Sequence, residues 1–262
     1  MALSFSEKTF YGLIFLPVQL NGHRLTAMFD TGAGMTVMPQ RTAKIIGLKG
    51  DGGARRGGNN GGQLSLETGA VETLRIDAAE LRDWTVGILP DGAFDVSQDG
   101  APFPADLFLG WDVISRFCWE FDMGARQVHI SPGGSMPGDH SLTWDRFPIF
   151  QVRFAGSNLP LGFDCGHTET MLDLSWKSRL PDLRRETTVT VGIGSTLEES
   201  VSLVPRLALS ISGTAVTLEN VEVLDRPIPG ARPGSLTGLL GVDVVQGRRW
   251  TLDAKSQFFR LY

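Results

Sequence analysis

Cysteine is scarce in this chain, with only Cys118 and Cys165 among 262 residues. Two thiols cannot build a disulfide framework, and neither lies in a C-x-x-C motif. The composition therefore predicts two free thiols in a reducing compartment, and a cytoplasmic location.

Dense runs of Lys or Arg are also lacking, and the formal net charge is −5 at pH 7. Nucleic acid or an anionic membrane would require clustered basic residues, so neither partner is predicted. The first 20 residues have no basic leader, and their short apolar run contains Pro17. This stretch predicts neither a signal peptide nor a membrane span.

Metal-ligand spacing is missing as well, because the four histidines do not recur at the short intervals that zinc sites use. They are His23, His129, His140 and His167. We expect neither a metal nor another cofactor. The hydrophobic content of 42% is that of an ordinary globular protein, with enough chain for one large domain or two smaller ones.

The sequence does contain a long internal repeat. One block of the first half aligns with the second half at an offset of 131 residues, and an earlier block aligns at 134. The later block matches Leu109/Leu240, Gly110/Gly241, Asp112/Asp243, Val113/Val244, Trp119/Trp250 and Asp122/Asp253. The earlier block matches Leu25/Leu159, Phe29/Phe163, Asp30/Asp164, Gly32/Gly166, Thr36/Thr170 and Met38/Leu172. Two blocks in the same order predict a duplication, with lobes at 1–132 and 142–262 and a linker at 133–141.

Strand patterns dominate both predicted lobes. Residues 11–30 alternate around an Asn-Gly pair, which is a hairpin signal, and residues 147–164 repeat the scheme. Helices are predicted to be few and short: one from Pro39 to near Gly47, one capped by Asp173, and a turn or two after each repeated Gly. The predicted class is mainly β.

Each half carries an aspartate between a Phe and a glycine turn, in FDTGAG at 29–34 and FDCGHT at 163–168. Two carboxyl groups held about 3 Å apart cannot both ionise, so the pair shares one proton. One carboxylate can then take a proton from water while the other carboxyl polarises a peptide carbonyl. Asp30 and Asp164 are therefore the candidate catalytic pair.

These two motifs, with FLG at 108–110 and LLG at 239–241, resemble the aspartic proteases of the pepsin/retropepsin superfamily. The resemblance covers both halves. Each half is shorter than a lobe of a typical pepsin, so the chain is more similar to two retropepsin-like units in tandem. It implies two similar β-barrel-like lobes, related by a pseudo-twofold axis, with a cleft between them. It also implies an aspartic endopeptidase that acts as a monomer on an extended peptide or protein.

The resemblance assigns supporting roles to the residues that follow each aspartate. They are Thr31, Gly32, Ala33, Cys165, Gly166 and His167. In the family, two Thr hydroxyls cross-link the lobes beneath the aspartates, and Cys165 replaces one of them. A thiol is a weak donor and acceptor, so we expect half of the cross-link to be lost, at about 1 kcal/mol. Alternatively, Cys165 is a small buried filler.

The sequence also allows an interpretation of His167 and of two repeated aspartate pairs. His167 either biases the shared proton toward one aspartate or is a surface residue of the turn. The repeated Asp112/Asp243 and Asp122/Asp253 are predicted to be helix-start and turn residues and not catalytic acids.

The glycine-rich stretch at 50–62 occupies the family position of a flap over the cleft. Its residues Arg55, Arg56, Gly57 and Gly58 are predicted to close over an extended peptide, unless the stretch is a plain flexible loop. Residues 188–201 would be the equivalent in the second lobe.

The alternative function is an impaired pseudo-protease that binds peptides or proteins without cutting them. A third possibility is a structural role with an empty cleft.

Overall fold

A computed structural model describes most of the chain. The described residues are 2–6, 10–53, 55–59, 62–95, 97–98, 101–138, 141–144, 148–181, 183–192, 195–229, 231–232 and 234–262. Within them the protein is mainly β, as the sequence predicts.

The first half contains twelve of the described strands and two short α-helices. The strands are β1 (Leu3–Ser4), β2 (Phe15–Leu20), β3 (His23–Phe29), β4 (Val37–Pro39), β5 (Arg55–Asn59), β6 (Gly62–Ile76), β7 (Ala79–Leu89), β8 (Ser97–Gln98), β9 (Ala101–Pro102), β10 (Leu107–Leu109), β11 (Phe117–Asp122) and β12 (Gln127–Pro132). The helices are α1 (Gln40–Ile45) and α2 (Trp111–Ile114), and a 3₁₀ turn lies at Asp91–Phe94.

The second half continues the numbering. Its strands are β13 (Leu142–Trp144), β14 (Pro148–Phe154), β15 (Ser157–Phe163), β16 (Met171–Leu172), β17 (Arg184–Gly192), β18 (Ser195–Ile211), β19 (Thr214–Leu224), β20 (Gly238–Leu240), β21 (Arg249–Asp253) and β22 (Phe258–Leu261). Two 3₁₀ turns lie at Leu174–Trp176 and Val242–Val244.

Each half builds one large curled sheet of the same design. The first has the strand order β2-β3-β10-β4-β7-β6-β5, and a β2–β6 pairing closes it on itself. The second has the order β13-β14-β15-β20-β16-β19-β18-β17, with a β14–β18 pairing in the corresponding place. In both, the short strand before the repeated Gly lies between the strand that leads to the aspartate and the strand that leaves it.

A third sheet joins the halves, with the order β1-β12-β11-β21-β22. Strands β11 and β21 are repeat equivalents, and they pair antiparallel with Phe121 opposite Trp250. The rings of these two residues stack with centroids 4.3 Å apart. Because apolar side chains of both halves share this core, burial there holds the halves together. The lobe boundaries at 132 and 142 remain predictions.

The hairpin turns confirm the Asn-Gly signal. Asn21 and Gly22 join β2 to β3 with φ of 47° and 83°, and Ala155 and Gly156 join β14 to β15 with φ of 47° and 84°. Two successive left-handed residues match the right-handed twist of the flanking strands. The turn therefore fixes the register of the strand that leads to each aspartate.

The predicted helices are also confirmed, with one difference in type. Asp173 caps its segment by accepting a hydrogen bond of 2.9 Å from the Ser175 N–H, but the turn it caps is 3₁₀ and not α. Three residues are too few to establish the α-helical hydrogen-bond pattern. No helix among the described residues is long and apolar enough to cross a membrane.

Candidate active site

The two aspartates stand at equivalent ends of strands β3 and β15. The N–H of Asp30 donates to the Leu109 carbonyl at 3.0 Å, and the N–H of Asp164 donates to the Leu240 carbonyl at 2.9 Å. Each aspartate is thus attached to the strand that precedes the repeated Gly of its own half. The sequence repeat is reproduced here as a repeat of backbone hydrogen bonds.

Glycine turns orient the carboxyl groups from below. The N–H groups of Gly32 and Ala33 donate to Oδ1 of Asp30 at 2.9 and 3.0 Å. In the second half the N–H of Gly166 donates to Oδ1 of Asp164 at 2.9 Å. Backbone donors of this kind stabilise the ionised form and fix the side-chain direction.

The two turns fit into each other. A Cβ placed on Gly32 would lie 2.2 Å from Oδ2 of Asp164, and one placed on Gly166 would lie 2.5 Å from Oδ1 of Asp30. Neither approach is possible for a residue with a side chain, so both positions require glycine. The structure therefore brings the two predicted aspartates into one site, each against the glycine turn of the other half.

Burial and proximity shift the pKa values of both carboxyl groups. Burial raises the pKa of Asp30 well above its usual range, and the charge of Asp164 raises it further. Burial also raises the pKa of Asp164, while hydrogen bonds from Asp30 and from the Gly166 N–H oppose that increase. The two groups interact, so their titration belongs to the pair. The arrangement favours one proton shared by the pair.

Thr31 and Cys165 cross-link the halves beneath the pair. The Thr31 hydroxyl donates to the Phe163 carbonyl at 2.7 Å and accepts from the Cys165 N–H at 3.0 Å. The Cys165 thiol donates to the Phe29 carbonyl at 3.3 Å. The thiol therefore takes the place of the second hydroxyl, and the expected loss of half the cross-link is not found in the geometry. Burial raises the pKa of this thiol, which remains protonated and able to donate.

A second polar feature, which the sequence analysis missed, supports each turn from the side. Asp112 accepts two hydrogen bonds of 2.8 Å from Thr36, one from its N–H and one from its hydroxyl. The Thr36 hydroxyl in turn accepts from the N–H of Gly110 at 2.9 Å. Asp112 does lie in the first turn of helix α2, as predicted, but its carboxylate also holds the end of the aspartate turn.

The second half repeats this clamp. Asp243 accepts bonds of 2.8 Å from the N–H and the hydroxyl of Thr170, whose hydroxyl accepts from the Gly241 N–H at 3.2 Å. Both pairs, Thr36/Thr170 and Asp112/Asp243, were visible in the repeat alignment. Their recurrence was the signal that could have identified the clamp.

His167 lies on the turn after Asp164 and is half-buried. Its N–H donates to the Asp164 carbonyl at 3.1 Å, and its ring Nδ1 lies 2.7 Å from the Glu169 carbonyl oxygen. These contacts attach it to the backbone of the turn. They agree with the structural interpretation, and an effect of His167 on the shared proton remains a prediction.

The glycine-rich stretch at 50–62 forms a hairpin where it is described. Strand β5 pairs with β6 in the register Arg55↔Leu66 to Asn59↔Gly62, so Arg55, Arg56, Gly57 and Gly58 are strand residues. Positions 54, 60 and 61 lie outside the described residues. Strands β17 and β18 form the equivalent hairpin in the second half. Closure of either hairpin over a cleft remains a prediction.

The described part of the chain contains no group of three or more His, Cys, Asp or Glu side chains that could hold a metal ion.

Comparison with known proteins agrees with this geometry in the first half. A family model described as Aspartyl protease matches residues 16–113, a segment that contains Asp30, the Thr36–Asp112 clamp and the first hairpin. The search of curated proteins found no match to the chain. Asp164 lies beyond the matched segment, so its assignment rests on the internal repeat and on its contacts with the first half. Residues 16–113, which include the candidate site residues of the first half, are therefore similar to the aspartyl protease family.

Proposed function

We propose that the protein is an aspartic endopeptidase in which Asp30 and Asp164 activate one water molecule. The observation that carries this proposal is the reciprocal fit of the two turns, in which Gly32 lies against the carboxyl of Asp164 and Gly166 against that of Asp30. That fit leaves the two carboxyl groups facing each other with their backbone donors already in place. The family of the first half supports a protease, and the repeat extends it to the second.

The proposed starting state has one proton on the pair, in keeping with the raised pKa values of both carboxyl groups. Asp30 carries the shared proton and Asp164 is ionised, because a hydrogen bond from Asp30 and backbone donors stabilise the charge on Asp164. Asp164 then removes a proton from the bound water, while Asp30 donates its proton to the oxygen of the scissile carbonyl. Two positioned carboxyl groups provide general acid and general base together.

Attack by the water oxygen forms a C–O bond and gives a neutral tetrahedral diol. In the second step Asp164 returns its proton to the departing amide nitrogen as the C–N bond breaks. One diol hydroxyl gives its proton to Asp30 as the carbonyl of the new carboxylic acid forms. The pair then regains its starting state, and no covalent bond to the protein is made at any stage.

The substrate is an extended peptide that pairs with the two hairpins as an added strand. Among the described residues, β5 and β17 are the terminal strands of their sheets, so each has one backbone edge of the kind that such pairing uses. Both carboxyl groups lie on one chain, so a monomer is sufficient. Both cysteines are free and buried, which supports a reducing, cytoplasmic setting.

Incubation with a mixed peptide library between pH 3 and 7, with and without pepstatin, tests the proposal. Wild-type protein should cleave and pepstatin should inhibit it, whereas Asp30→Asn should not cleave. Wild-type cleavage that survives both pepstatin and Asp30→Asn would exclude the mechanism. Absence of cleavage in every condition would favour the alternative of a peptide- or protein-binding pseudo-protease.

A further inference from the structure

The two halves differ in chemistry at one pair of equivalent positions beside the catalytic pair, Met35 and Glu169. Each lies five residues after its aspartate and directly before the clamped threonine. A Cβ on Gly110 would lie 2.5 Å from the backbone carbon of Met35, and one on Gly241 would lie 2.5 Å from the same atom of Glu169. The same backbone contact thus identifies the two positions as equivalent.

Met35 packs against the hydrophobic core of the first half, among apolar side chains. A Cβ on Gly87 would lie 2.9 Å from Cγ1 of Val37, 3.3 Å from Sδ of Met35 and 3.5 Å from Cδ1 of Leu66. Because Gly87 has no side chain, the side chains of Val37, Met35 and Leu66 surround the position that its Cβ would occupy. Met35 itself is half-buried, so part of its thioether chain is open to a ligand.

The second half has acidic residues at the corresponding places. Strand register pairs Val37 with Gly87 in the first half and Met171 with Glu222 in the second, so Glu222 stands where the first half has glycine. Glu169 is exposed and Glu222 is half-exposed. No basic side chain among the described residues forms an ion pair with either carboxylate. A cation from outside would therefore meet no competing partner there.

We propose that the cleft has a fixed chemical direction: Met35 selects an apolar side chain on one side of the scissile bond, and Glu169 selects a lysine or arginine on the other. This proposal rests on the proposed protease function. The two turns are related by reciprocal contacts, Gly32 against Asp164 and Gly166 against Asp30, so equivalent residues of the two turns lie on opposite sides of the pair. A peptide bound across the pair therefore meets an apolar position and an acidic one in a fixed order.

Binding measured without cleavage provides the first test. Fluorescence anisotropy with the Asp30→Asn variant would use heptapeptides of apolar residues in which a single lysine is moved one position at a time. One lysine position should bind about fivefold more tightly than norleucine, the size of an exposed ion pair, and glutamate there should bind more weakly. Equal affinities at every position would overturn the proposal.

Paired substitutions then assign the preference to the residue. In the Asp30→Asn background, Glu169→Met should abolish the lysine preference, and Met35→Glu should create one at the position related by the pseudo-twofold axis. Glu72→Met, an exposed site beside the β2–β3 turn, removes the same charge and should change nothing. A preference that survives Glu169→Met would also overturn the proposal. Absence of wild-type hydrolysis with the lysine preference intact would refute the protease and leave the charge selection standing.

Discussion

The backbone N–H of Cys165 donates a hydrogen bond of 3.0 Å to the hydroxyl of Thr31, which lies 134 residues earlier in the chain. This contact joins the two aspartate turns directly beneath the carboxyl groups and is fully buried. The Thr31 hydroxyl uses its own proton on the Phe163 carbonyl, so one side chain satisfies two groups of the opposite half. The cross-link therefore sets the spacing of the two carboxyl groups.

Thr31→Val should destabilise the protein more than Cys165→Ala. Valine keeps the shape of threonine but leaves the Cys165 N–H and the Phe163 carbonyl without partners, at about 2–3 kcal/mol. Alanine at 165 removes one weak thiol bond and a small buried volume, at about 1–2 kcal/mol. Urea denaturation of the purified variants measures both free energies. Equal or reversed costs would show that Thr31 is not the main cross-link. The control Cys165→Ser should have a free energy of unfolding close to that of the wild type.

Gly166→Ala should reduce peptide hydrolysis at least a hundredfold while the chain still folds. The new Cβ would lie 2.5 Å from the Asp30 carboxyl, which must move out of position, and displacement of a catalytic group by 1 Å costs about that factor. Steady-state kinetics on a cleavable peptide measures the loss. Gly92→Ala is the matched control, because a Cβ there has its nearest neighbour at 3.9 Å. Similar activity in the two variants would contradict the tight fit of the turns.

The aspartates could be predicted from sequence because each follows an apolar strand, precedes a glycine turn and recurs at one offset. The repeat marked Thr36 and Asp112 as recurring residues, but not their contact, since they are 76 residues apart and only the folded sheet brings them together. The pairing of β11 with β21 depends equally on the contact of the two halves. Strand β5 was hard to predict because Gly57 and Gly58 have low strand propensity. In the fold, the hydrogen bonds of β5 to β6 outweigh that propensity.

Asp30→Asn should raise the melting temperature at pH 7.5 more than at pH 3.5. The pKa of Asp30 is raised in the folded state, so its stabilising protonated form is present at low pH and lost as pH rises through that pKa. An amide keeps the Gly32 and Ala33 contacts and cannot ionise, so the penalty at high pH disappears. Calorimetry of both proteins across this range measures the difference. Asp77→Asn, in an exposed turn, should show no such trend, and a uniform effect of Asp30→Asn across pH would contradict the assignment.

Asp112→Ala should lower the free energy of unfolding by about 2–3 kcal/mol and reduce hydrolysis, without changing the shape of the pH–rate profile. The substitution removes the acceptor of two bonds from Thr36, one of them a backbone N–H. Asp112 positions the turn but does not touch the reacting atoms. The control is Asp122→Ala, which changes another aspartate of the repeat. The Asp122 carboxylate accepts from the Ala125 N–H at the surface, so its loss should lower the free energy of unfolding by less. A shifted pH profile in Asp112→Ala would give that residue a direct part in the chemistry.

The central claim is that one aspartate from each half forms a single catalytic unit. The most direct measurement is kcat/KM for Asp30→Asn, Asp164→Asn and the double variant on one cleavable peptide. Residues that act as a unit are not additive, so each single variant should lose at least about a thousandfold and the double variant should lose little more. An Asp164→Asn variant within tenfold of wild type would contradict the account, because catalysis would then not require the second half.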